Sequence, residues 1–163
     1  MEPSLPPHLR KSDERDRGLS AQMWGLWGAM NWFLPLLLIA SRFIFPDEGG
    51  WETLLLVFSV PFSVPLCGLL GWIPRKILVR RGHRVAPWYL NVVVLIHWVG
   101  AALCLWGMLG VGDSGPVGSP LTAFWGISED ASLILSVAGG GAVVLAWIAE
   151  IVMACLQPRQ QSH

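Results

Sequence analysis

Four long apolar runs separated by short polar connections set the pattern of this chain, at residues about 23–45, 52–73, 87–111 and 131–156. At about 1.5 Å per residue, each run is long enough to cross a hydrocarbon core of about 30 Å as a helix. The pattern predicts an all-α fold, a four-span transmembrane helix bundle. Residues 1–22 combine three prolines with alternating charges and little apolar periodicity, the composition of a disordered tail. A short helix over Lys11 to Arg17 is the one local element that this stretch suggests. Residues 157–163 form a second short tail after the last run. A cleavable leader would place a short basic stretch directly before a short apolar core, whereas here both the polar lead and the apolar run are long. The first span is therefore expected to be retained.

Punctuation within the runs suggests how the helices meet. Pro35 lies near the middle of the first span and predicts a kink there. The second span contains Pro61 and Pro65, and Ser59, Ser63, Cys67 and Gly71 repeat every four residues as a stripe of small side chains. The prolines read as a packed, gently kinked helix, or as a source of free carbonyls lining a cavity. The third span carries Asn91 and His97, followed by Gly100, Ala101, Cys104 and Gly107. The fourth contains Gly139, Gly140 and Gly141 together with Ala138, Ala142 and Ala146, a series that reaches Glu150. Three glycines weaken a helix by about 1 kcal/mol each relative to alanine, so close packing is expected to offset them.

Charge placement sets the orientation. Arg75, Lys76, Arg80, Arg81 and Arg84 fall between the second and third spans, in a stretch that reads as a short basic loop. Arg10, Lys11, Arg15, Arg17 and Arg159 lie in the two tails, on the same side of the bundle. Of the eleven basic residues only Arg42 lies toward the other end, where Asp47, Glu48, Asp113, Glu129 and Asp130 collect. Basic connections stay cytoplasmic, so both termini are expected inside. Arg42 lies close enough to the outer end to reach toward Asp47 and Glu48. The basic stretch reads as a topology determinant that also touches anionic headgroups.

Composition agrees with a membrane class. The chain is 53% hydrophobic and 13% charged, against about 25% charged in soluble domains. Eleven acidic residues balance the eleven basic ones, so nothing points to a nucleic-acid partner. Cys67, Cys104 and Cys155 lie in or beside apolar runs without paired spacing, and no disulfide is expected. Most of the ten tryptophans read as interfacial anchors, Trp24 and Trp27 among them. Trp32, Trp98 and Trp147 lie deeper and are expected to fill space between helices.

Candidate chemistry is confined to three polar residues. Counted inward from the basic end, Asn31, His97 and Glu150 lie about 12, 15 and 9 Å deep. A charged group at mid-bilayer costs about 2.5–3.5 kcal/mol, so Glu150 should face protein or water, or carry a proton. The cluster reads as an interhelical clasp or as a proton or substrate path. His97 is the only histidine within a span, too few for paired haem ligands. His8, His83 and His163 fall in solvated segments without metal spacing, so neither metal nor cofactor is expected. Ser59 and Ser63 lack a base partner, and no enzyme activity is expected. The leading expectation is a multi-pass protein of a bacterial-type plasma membrane, serving as a non-enzymatic subunit or scaffold beside a membrane-protein partner or a second copy. The alternative is a small transporter or proton-coupled permease component.

Overall fold

The computed structural model describes residues 7–44, 51–112 and 115–159. In chain order it contains helices α1 (Pro7–Ser41), extended by a 3₁₀ turn at Arg42–Ile44, α2 (Trp51–Arg80) and α3 (Trp88–Gly107). A two-stranded antiparallel ladder follows, β1 (Gly110–Gly112) with β2 (Gly115–Val117), then α4 (Pro120–Trp125) and α5 (Glu129–Leu156). Four helical stretches are long and apolar enough to cross a membrane: Ser20–Ile44, Thr53–Arg80, Trp88–Gly107 and Glu129–Leu156.

The long helices form a ring in which α1 touches α2 and α3, while α5 touches α3 and α2. Directions follow from paired residues. Gly28 faces Arg75 and Gly68 faces Trp32, so α1 and α2 are antiparallel. Gly100 faces Gly139 and Gly107 faces Ser132, so α3 and α5 are antiparallel as well. The α3–α5 contact is the most extensive in the molecule. The ring therefore has two ends: a basic end, where α2 and α5 finish and α3 begins, and a far end carrying β1, β2 and α4.

Several boundaries differ from the sequence pattern. Residues 7–22, read as part of a disordered tail, lie in α1, which begins at Pro7. Beyond Pro7 this stretch contains no proline until Pro35, and its lysine, arginine and glutamate residues are good helix formers. The second span continues as helix past residue 73 to Arg80, so Arg75, Lys76 and Arg80 lie on α2 and not in a loop. A Schellman cap ends this helix: Gly82 has φ of 88°, its N–H donates to Val79 at 3.0 Å, and the His83 N–H donates to Leu78 at 3.0 Å. α3 ends at Gly107, four residues before the expected limit. Asp47, Glu48, Asp113 and residues 160–163 lie outside the described residues.

The core at the basic end joins Trp27, Leu78, Ala86, Leu90, Val94 and Ala154. Trp27 is thus a core residue and not an interfacial anchor. It meets Trp24 edge to face, with centroids 5.8 Å apart, a geometry that aromatic quadrupoles favour.

Helix C-termini leave carbonyls without intrahelical donors, and neighbouring elements supply donors. At the end of α3, Ser136 donates to the Cys104 carbonyl at 2.7 Å and Ser132 to Gly107 at 3.1 Å. Arg42, 1% exposed, donates to Leu105 at 2.7 Å and Met108 at 3.2 Å. At the end of α5, Arg81 donates to Gln157 at 2.5 Å, and the His83 Nε2 lies 3.0 Å from the Pro158 carbonyl. His83 is therefore buried against the C-terminal carbonyls and not solvated. In both places a cation sits at the negative end of a helix dipole.

Pro74 gives a similar case inside a helix. Proline has no N–H, so the Leu70 carbonyl four residues earlier loses its helical donor. Trp147 of α5 donates its indole N–H to that carbonyl at 3.1 Å, tying α2 to α5. Trp147→Phe is expected to cost about 0.6–1.7 kcal/mol, the range of interhelical bonds in membranes. In a Pro74→Ala background the restored N–H serves Leu70, so the same change should cost less. Thermal unfolding of the four variants in detergent measures the difference.

Candidate functional site

The site lies where α3 and α5 face each other, with α1 packed against α3 beside it, between the core at the basic end and the close α3–α5 crossing nearer the far end. α5 delivers Glu150 along a row of buried residues: Ser132, Ser136, Gly139, Ala146, Glu150 and Ala154. The steps in this row are of three or four residues, or of seven from Gly139 to Ala146, the spacing that keeps one helix face on one neighbour. α3 answers with Gly107, Cys104, Gly100 and His97. Gly100 and Gly139 allow the two backbones to approach, since a Cβ on Gly139 would sit 2.6 Å from the Gly100 carbonyl oxygen.

Above this crossing the two long polar side chains meet. His97 Nδ1 lies 3.0 Å from Glu150 Oε1. The glutamate is 1% exposed and the histidine side chain 20% exposed. One proton must occupy the contact, either on the imidazole nitrogen facing a carboxylate or on the carboxyl facing a neutral imidazole. The second carboxyl oxygen, Oε2, has no hydrogen-bond partner among the described residues.

Asn31 stands apart from that pair. It is buried in the α1–α2 contact, where its amide occupies the space that a side chain at Gly71 would need. Its Oδ1 accepts from the Trp98 indole at 3.5 Å. The structure thus joins His97 to Glu150 and attaches Asn31 to the residue after His97. Trp98 and Trp147, whose hydrogen-bonding roles hydropathy cannot reveal, belong to the same polar layer. The signal for Trp147 was Pro74: a proline inside a helix leaves a carbonyl that needs a donor.

The remaining candidate residues separate into contact and non-contact positions. On α2, Gly71 is buried, Ser59 and Ser63 are half-buried and Cys67 is exposed. The Ser59 hydroxyl donates to its own helix at Leu56, 2.6 Å away. The face of α2 that meets α1 carries Gly68, Gly71 and Arg75 instead. Within the glycine run, a Cβ on Gly140 would meet only the Cys104 sulfur, at 3.5 Å, and one on Gly141 would meet nothing within 4 Å. Close packing therefore falls on Gly139. At the basic end, the Arg75 guanidinium lies 5.0 Å from the Trp24 ring centroid, and the Lys76 ammonium lies 4.1 Å from that of Trp72. Arg80 and Arg84 are exposed, whereas Arg81 holds the end of α5.

Among the described residues no group of three His, Cys, Asp or Glu side chains is arranged to hold a metal ion. Two grooves are apolar in their linings. One, of about 430 Å³, runs along the α3–α5 crossing between Val99, Leu103 and Ala138. The other, of about 300 Å³, lies at the far end between Ile44, Trp106 and Phe124. The fold and site define a class, a bundle of four helices long and apolar enough to span a membrane. Comparison with protein-family models, curated proteins and solved structures finds no match to this chain.

Proposed function

We propose that this chain is a multi-pass protein of a bacterial-type plasma membrane, with both termini in the cytoplasm, acting as a non-enzymatic subunit or scaffold of a membrane assembly. The observation that carries this reading is the His97–Glu150 bond. A carboxyl group 1% exposed and bonded across two helices works as a clasp, holding α3 and α5 in register. The other buried polar side chains act alike: Ser132, Ser136 and Trp147 spend their donors on carbonyls of a neighbouring helix.

A partner is supported by what the bundle leaves uncovered. α5 presents Val137, Ala138, Gly141 and Leu145 outward, and a side chain at Gly141 would meet nothing within 4 Å. Small residues on an outer face let another helix approach closely. Extraction in mild detergent followed by affinity purification of the full chain tests this. A stoichiometric membrane protein or second copy is expected, and an isolated monomer at every detergent concentration opposes the reading.

One observation favours a second reading, a small transporter or proton-coupled permease component. Glu150 Oε2 is buried without a hydrogen-bond partner among the described residues, and an intramembrane acid beside a histidine is a common element of proton relays. In that case Glu150→Gln abolishes pH-driven flux in vesicles while the protein stays folded. Under the clasp reading the same variant keeps its assembly partner.

A further inference from the structure

We infer that the end of α2 binds the phosphate headgroup of an anionic phospholipid through a ladder of three side chains, Trp72, Lys76 and Arg80. This rests on the proposed membrane reading, with the basic end at headgroup level.

The ladder exists because α2 remains helical to Arg80. Residues four apart then stack on one face, each step rising about 6 Å. Trp72 is 46% exposed and sits at the base. The Lys76 ammonium is held 4.1 Å from the centre of its indole ring, a cation–π contact that fixes an otherwise mobile chain. Arg80 is exposed one turn further on. Toward the middle of the helix, Leu69 and Ile73 continue this face and are exposed as well.

Two of the neighbouring basic residues are otherwise engaged, and exposed Arg84 lies beyond the helix, in the connection to α3. Arg75 turns toward α1, over Trp24 and against Gly28. Arg81 holds the Gln157 carbonyl. Among the described residues Arg80 has no ion-pair partner. The charge available to a ligand on this face is thus that of Lys76 and Arg80, above an aromatic ring and two apolar side chains.

Phosphate oxygens suit both cations, the guanidinium through paired N–H donors and the ammonium as a point charge. Free phosphate offers the same oxygens, but Leu69, Ile73 and Trp72 match acyl chains and glycerol at the interface. An anionic lipid is favoured over a zwitterionic one, whose own cation would be repelled.

The full chain reconstituted in mixed phosphatidylglycerol and phosphatidylcholine vesicles, probed with spin-labelled forms of each lipid, tests the assignment. The native chain is expected to prefer phosphatidylglycerol. Lys76→Gln and Arg80→Gln should each reduce the preference by about fivefold, the usual effect of one basic residue near an anionic surface. Arg75→Gln should lower thermal stability and leave the preference in place. An unchanged preference in the Lys76→Gln/Arg80→Gln variant overturns the inference. Displacement of the lipid by inorganic phosphate also overturns it, assigning the site to the free anion. A chain that floats with vesicles but shows no headgroup preference refutes the ladder alone. One that never associates with vesicles refutes the membrane reading with it.

Discussion

A single methyl group added to each of three consecutive glycines in α5 is expected to give three different results. Gly139→Ala places a Cβ 2.6 Å from the Gly100 carbonyl oxygen and 2.7 Å from the Cys104 nitrogen. Both are backbone atoms that no side-chain rotation can move aside, so α3 and α5 must separate. Separation also lengthens the Ser136–Cys104 bond, and the expected loss is about 1–3 kcal/mol. Gly140→Ala meets only the Cys104 sulfur at 3.5 Å, an ordinary contact. Its helix-propensity gain should leave stability level or slightly higher. Gly141→Ala meets nothing within 4 Å and should gain up to about 1 kcal/mol from propensity. Thermal unfolding of the three variants in one detergent gives the ranking, and a Gly139→Ala protein as stable as Gly141→Ala would contradict the crossing.

The second large effect is expected at the His97–Glu150 bond. Glu150→Gln keeps a hydrogen-bonding group of nearly the same shape, so stability should fall little. Glu150→Leu leaves His97 Nδ1 without its 3.0 Å partner and should cost about 1–2 kcal/mol. Replacing both partners by leucine removes the orphaned group as well, so the double variant should recover part of the loss. A double-mutant cycle is expected to show coupling above about 0.5 kcal/mol. A coupling of zero would mean that the contact contributes nothing to holding α3 on α5.

The four long helices could be read from apolar run length alone, because a helix in hydrocarbon must satisfy its backbone internally. That His97 and Glu150 share one level of the bundle, where they meet, follows from counting both inward from the same end. Which small residues make contact was not. A stripe read every four residues, such as Ser59, Ser63, Cys67 and Gly71, rotates by about 40° per step around a helix of 3.6 residues per turn. Its far members therefore leave the neighbour, and Cys67 is exposed while Gly71 is buried. Contacts follow alternating steps of three and four, as in Gly68, Gly71, Arg75 and Leu78.

The extension of α2 was masked by its charge, which resembles a loop. The pair Arg81–Gly82 did carry a signal, because glycine just after basic residues is the usual end of a helix. Arg42 was hidden for a different reason. Two of its acceptors, the carbonyls of Leu105 on α3 and of Met108 at that helix's C-cap, follow from the packing of the end of α1 on α3. No property of the local sequence names them.

Orientation across the membrane is tested most directly by labelling single cysteines in intact cells. Cys67, Cys104 and Cys155 are first replaced, then Ala123 or Arg159 is changed to cysteine, both being exposed positions at opposite ends of the bundle. A membrane-impermeant maleimide should label Ala123→Cys before lysis and Arg159→Cys only after it. Labelling of Arg159→Cys in sealed cells, or equal labelling of the two, would contradict a four-span bundle with both termini inside.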